Sequence, residues 1–222
     1  METRHNVCSV QFSPEVSHLL AAGSVNHKVH LFDIRKTSQP LTVAPGHGKA
    51  VSYVRFLPNG RLVSASTDGT LRVWSVAALS AAGAGGGGEA ALEAACEVVL
   101  RGHQNERNFI GLSASPESYI ACGSETNEVV CYHRSLPPPV ARHCFSGRRA
   151  GGGAGERCSR GACGAGFGGR CSLHGGGGGG GAGEAAGVGE DSHFVSSVCW
   201  SKRHGTLLAG NSAGHIKVLQ LI

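Results

Sequence analysis

At 222 residues the chain can bury a substantial core, and its formal charge of +5 is only mildly basic. Aromatic residues make up 5%, too few for the basic, base-stacking face of a nucleic-acid binder. No apolar run approaches the roughly 18 residues of a membrane helix, and Met1-Glu2-Thr3-Arg4-His5 lacks the apolar segment of a secretory signal, so a soluble intracellular protein is expected.

After a stub over residues 1–5, short stretches of period-two alternation follow one another, separated by turn residues, as antiparallel strands require. The first unit is predicted to form strands over Asn6–Phe12, His18–Ser24 and Lys28–Ile34, with an outer strand at Leu41–Ala44. The second spans Val51–Leu57, Arg61–Ser66 and Thr70–Val76, with turns at Pro58-Asn59-Gly60 and Asp68-Gly69. Its outer strand, Glu97–Leu100, comes after an alanine- and glycine-rich insert over 77–95. The third covers Asn108–Ala114, Tyr119–Ser124, Glu128–Tyr132 and Val140–Phe145. A second insert over 147–193, about half glycine from 151 to 189, buries too little apolar surface to order itself and is expected to be disordered; the same is expected of the first. The last unit, within 194–222, has three strands: Phe194–Trp200, Thr206–Gly210 and His215–Leu221.

The repeat identifies the fold. His47 follows Gly46, and Ser64, Asp68 and Trp74 occur at the spacing of the hydrogen-bond tetrad of a WD-repeat blade. A blade takes roughly 40–45 residues and rings hold about 4–8 blades. The chain is therefore expected to be an all-β, partial propeller of four blades, the C-terminal part of a seven-bladed ring. Its other units are degenerate: Phe32, His133 and Leu219 fall at the Trp position, and Asn26, Asn127 and Ala213 at the Asp position. Of the nine cysteines, Cys8, Cys122, Cys131 and Cys199 sit in apolar strands and read as small core residues. Cys158, Cys163 and Cys171 lack the paired spacing of a zinc site. No phosphate loop or catalytic spacing is present, so no cofactor, metal or enzymatic activity is expected.

Several stretches carry a closer likeness. Asn6-Val-Cys-Ser-Val-Gln-Phe-Ser-Pro14, Gly46-His-Gly-Lys-Ala-Val-Ser-Tyr-Val-Arg-Phe-Leu57, Arg101-Gly-His-Gln-Asn-Glu-Arg-Asn-Phe-Ile-Gly-Leu112 and Phe194-Val-Ser-Ser-Val-Cys-Trp200 resemble the C-terminal propeller of the plant COP/SPA family. That family comprises the constitutive-photomorphogenesis ubiquitin ligase and its suppressor-of-phytochrome-A partners. Tyr132-His-Arg-Ser-Leu-Pro137 and Lys217-Val-Leu-Gln-Leu-Ile222 look more like SPA. The resemblance implies a non-catalytic recognition module of a cullin-4-associated ubiquitin-ligase complex that represses light signalling. The location it implies is nuclear, with the cytoplasm also open to it. Its partners would be Val-Pro peptides with acidic flanks, from transcription factors or photoreceptors, with no direct contact to nucleic acid or membrane. By the same resemblance Lys49 falls on the family's lysine for the acidic flank, Phe109 on the wall of the Val-Pro pocket and His27 on a turn of the same face. Phe32-Asp33-Ile34-Arg35 resembles the W-D-x-R ending by which WD-repeat proteins dock to the cullin-4 adaptor, so Asp33 and Arg35 are candidate docking residues. The remaining reading is a generic scaffold with no peptide groove.

Overall fold

A computed structural model describes residues 3–145, 167–168, 193–203 and 205–221. The described residues form four antiparallel sheets of four strands each. The first holds β1 (Val7–Phe12), β2 (Leu19–Ser24), β3 (Val29–Asp33) and β4 (Thr42–Ala44) in spatial order. The second holds β5 (Val51–Leu57), β6 (Arg61–Ser66), β7 (Thr70–Ser75) and β8 (Cys96–Arg101). The third holds β9 (Leu112–Ala114), β10 (Tyr119–Gly123), β11 (Glu128–His133) and β12 (Ala141–Cys144). In the fourth, β13 (Phe167–Gly168) lies outside β16 (Ile216–Leu221), which pairs with β15 (Thr206–Asn211) and then β14 (Val195–Trp200). This is the expected all-β, four-bladed partial propeller.

Left-handed turn residues shape the blades. The β5–β6 connection places Asn59 and Gly60 at φ 61° and 62°, the paired left-handed residues that match the twist of a tight hairpin. The turn between second and third strands needs one left-handed residue, at the same place in all four blades: His27, Gly69, Asn127 and Gly214. Asparagine and histidine tolerate that conformation better than most side chains.

Apolar faces of successive sheets meet in three core clusters. The first joins Ala21, Val29 and Leu31 to Val54 and Phe56; the second joins Val63, Leu71 and Val73 to Leu112; the third joins Ala121 and Val129 to Val198 and Trp200. The approach is close enough that a Cβ on Gly123 would overlap the Val195 carbonyl. Polar side chains stitch the same seams. Ser9 and Gln11 accept the Val54 and Phe56 N–H groups, Ser113 accepts that of Trp200, and the Glu15 carboxylate takes the N–H groups of Asn59 and Gly60.

Three expectations change. The insert over 77–95 is not disordered: it forms α1 (Val76–Ala84) and α2 (Glu89–Ala94). Alanine and leucine are strong helix formers, the Ser75 hydroxyl caps α1 by accepting the Ala78 N–H, and Leu79 is buried in the first core cluster. The fourth sheet has an outer strand, since Phe167 pairs with Leu221 and Gly168 with Gln220; the remainder of the glycine-rich insert, with its expected disorder and Cys158, Cys163 and Cys171, lies outside the described residues. The third inner strand begins at Leu112 rather than Asn108, because the Glu125 carboxylate draws the Arg107 and Asn108 N–H groups into a loop. Among the strand cysteines, Cys122 and Cys131 are buried as expected, whereas Cys8 is half-buried and Cys199 exposed.

Candidate functional site

The second blade contains the tetrad intact. The Trp74 indole N–H donates to the Ser64 hydroxyl at 2.9 Å, which lies 2.7 Å from His47 Nε2. His47 Nδ1 lies 3.1 Å from the Asp68 carboxylate. Asp68 also accepts the Gly48 N–H and both the hydroxyl and N–H of Thr70. Burial pushes the His47 pKa down despite the carboxylate, so the imidazole is neutral, with Nδ1–H donating to Asp68 and Nε2 accepting from Ser64. Burial works against the charged form of Asp68, yet its bonds from His47, Thr70 and Gly48 hold it well below the usual carboxylate range. With every member paired, the network rigidifies the turn after β6.

Register corrects the assignment in the third blade. Trp74 pairs with Leu62, and its counterpart paired with Ile120 is Tyr132, not His133. By the same register Thr126, not Asn127, takes the Asp68 place; Asn127 supplies the left-handed turn residue. His103 Nδ1 meets the Tyr132 hydroxyl at 3.0 Å, both side chains being buried. Cys122 stands where the second blade has Ser64, so His103 Nε2 has no hydrogen-bond partner among the described residues. Desolvation pushes the His103 pKa down to about 4. The signal for this shortened network was the Gly102-His103 pair, which repeats Gly46-His47.

Lys49, Phe109 and His27 all sit at the sheet end where the inner strands begin. Lys49 is exposed in the loop after the tetrad histidine, and its carbonyl accepts the Ser66 hydroxyl. Phe109 is exposed at the end of the loop that Glu125 pins. The Asn105 side chain ties that loop to the second blade by donating to the Ser66 carbonyl. His27 is exposed in its left-handed turn. Between the loops of the second and third blades lies a polar cavity of about 350 Å³, lined by Asp68, His103, Asn105, Thr126, Glu128 and Arg142.

Asp33 and Arg35 lie at the opposite end of the first sheet, beside the β1–β2 turn, where the Ile34 N–H reaches the His18 carbonyl. The Arg35 guanidinium grips the Asp33 carboxylate through Nε and Nη2, the latter at 2.6 Å. These bonds and the Arg35 N–H hold the Asp33 carboxyl well below its ordinary range. The structure thus separates the candidate docking pair from the candidate peptide contacts.

These sheets and this tetrad define a WD-repeat β-propeller arc, and a model of the WD domain, G-beta repeat, matches residues 2–33 and 38–75. Over nearly its whole length the chain is similar in sequence to the COP1 and SPA proteins. It is 39% identical over 221 residues to the E3 ubiquitin-protein ligase COP1 of Arabidopsis thaliana, covering 100% of this chain and 26% of that protein. It is 38% identical over 217 residues to Protein SUPPRESSOR OF PHYA-105 1 of Arabidopsis thaliana, covering 98% of this chain and 17% of that protein. The chain therefore spans about a quarter or less of these relatives' length. The crystal structure of the computationally designed Ika4 protein matches 98% of this chain and 92% of its own with a TM-score of 0.59 at 17% identity. The designed Ika8 protein matches 97% of this chain and 46% of its own, with a TM-score of 0.57 at 18% identity. Both share the fold.

Proposed function

We propose that the arc is a non-catalytic recognition module of a COP1/SPA-type ubiquitin-ligase complex in light signalling, and that it binds Val-Pro peptides with acidic flanks. The observation that carries this reading is the placement of Lys49 and Phe109, both exposed, on loops at one end of neighbouring blades. Those loops are held by Ser66, Glu125 and Asn105. A lysine is a compact charge for an acidic flank, and an aromatic wall suits a Val-Pro pair. His27 borders the same end. Asp33 and Arg35 would meet a cullin-4 adaptor from the opposite end, leaving both partners bound together. The complex would act in the nucleus, and also in the cytoplasm.

Fluorescence anisotropy with an acidic Val-Pro peptide tests the reading. Lys49→Glu is expected to weaken binding about tenfold, the loss falling with added salt; Phe109→Ala is expected to weaken it by a similar factor at every salt concentration. If the unaltered chain fails to distinguish the Val-Pro peptide from its Ala-Ala counterpart, the reading is wrong. Salt-insensitive partner binding that ignores Lys49→Glu would favour the generic scaffold.

A further inference from the structure

An arginine three residues ahead of a serine or threonine occurs four times in the sequence: Arg35 and Ser38, Arg61 and Ser64, Arg72 and Ser75, Arg203 and Thr206. Three of those hydroxyls belong to regular structure. Ser64 lies within β6, buried between His47 and Trp74. Ser75 ends β7 and caps α1, and Thr206 begins β15. The fourth, Ser38, stands in the connection from β3 to β4, residues 34–41, and is exposed together with Arg35, Lys36, Thr37 and Gln39. Of the four acceptors it alone has a second cation, Lys36, two residues ahead.

The fold holds that connection at its two ends and leaves the middle open. At its start the Lys36 N–H closes a turn on the Asp33 carbonyl, and the Ile34 N–H reaches the His18 carbonyl. At its finish the Leu41 N–H bonds the Leu31 carbonyl, and α1 approaches so closely that a Cβ on Gly83 would overlap the Leu41 carbonyl. The Arg35 side chain is 65% exposed, and its ionic partner among the described residues is Asp33. An exposed pair of this kind opens at little cost, so the guanidinium can turn to another acidic group.

We infer that Ser38 is a phosphorylation site for a protein kinase that reads basic residues ahead of its acceptor, and that the phosphate draws Arg35 away from Asp33. In the transfer the Ser38 Oγ attacks the γ-phosphorus of ATP. The Oγ–P bond forms, the bond to the β-phosphate oxygen breaks, ADP leaves, and the hydroxyl proton passes to the kinase's catalytic base. The product carries about two negative charges and three acceptor oxygens. It matches the planar guanidinium fork and outcompetes the single charge of Asp33. The consequence rests on the reading of Asp33 and Arg35 as the adaptor-docking pair: phosphorylation dismantles that pair and releases the adaptor, while Lys49 and Phe109 at the opposite end are untouched.

The 222-residue chain is to be incubated with Mg-ATP and the catalytic subunit of the cyclic-AMP-dependent kinase, a basophilic probe. It is expected to take up one phosphate, located at Ser38 by mass spectrometry of its peptides. Ser38→Ala is expected to abolish uptake, and Arg35→Ala to slow it about tenfold. Arg35 holds the Asp33 carboxyl low in the unmodified chain, so after phosphorylation carbon NMR is expected to show it titrating nearer the ordinary carboxylate range. Phosphate on Thr37 or elsewhere, uptake indifferent to Arg35→Ala, or an Asp33 titration that does not move overturns the inference. Binding of the cullin-4 adaptor is expected to weaken about tenfold on phosphorylation, and equal binding before and after overturns the regulation. An unmodified chain that does not bind the adaptor sinks the docking reading alone and leaves the phosphorylation site standing.

Discussion

Trp74→Ala is expected to destabilise the chain by about 3–5 kcal/mol, the cost of emptying a buried aromatic site. Trp74 is fully buried and belongs to the first core cluster. Its removal also withdraws the donor from Ser64, which hands the proton chain on to His47 and Asp68. Trp74→Phe separates the two contributions. It keeps most of the packing and loses only the hydrogen bond, so its expected cost is about 1–2 kcal/mol. Urea denaturation followed by tryptophan-independent circular dichroism measures both. Equal costs for the two substitutions would mean that the polar network, not the packing, dominates.

Acid is expected to destabilise the protein before its carboxylates titrate. His103 has a folded-state pKa of about 4 against an ordinary 6.5, because burial penalises its charged form. Between those values the unfolded chain binds a proton that the folded chain refuses. Stability is therefore complete above about pH 6.5 and falls as the pH drops. At pH 5 this histidine alone accounts for about 2 kcal/mol. His47 acts in the same direction, and Asp68, whose pKa is depressed, removes more stability only below the ordinary carboxylate range. In His103→Gln the stability lost between pH 7 and pH 5 is expected to shrink by about that 2 kcal/mol. An unchanged pH profile in this variant would refute the assignment.

Much of the blade architecture was legible in the sequence. The turns announced themselves through Pro58-Asn59-Gly60 and Asp68-Gly69, and the tetrad through residues whose pairing is local to one blade. The misreadings have physical causes. Residues 77–95 look featureless by composition, yet alanine favours helix and Leu79 finds a core that only the neighbouring sheet provides. The third blade was misread by one position because degenerate tetrads leave only strand register to decide between Tyr132 and His133, and register is a property of the folded pair. The strand start at Leu112 depended on Glu125, a side chain from another turn. For the site residues the sequence supplied position along the chain; that Lys49 and Phe109 share an end, away from Asp33 and Arg35, follows from the alternating strand directions.

Among the described residues, the second and third blades each share a core with both neighbours, while the first and fourth each share one. Coupling of this nearest-neighbour kind makes the chain behave as a short linear array, in which opening spreads from the ends. Amide exchange should then be slowest in β5–β8 and β9–β12 and fastest in the terminal sheets. The loops that carry Lys49 and Phe109 hang on the two slowest sheets, so the peptide contacts would persist through fluctuations that loosen the rest.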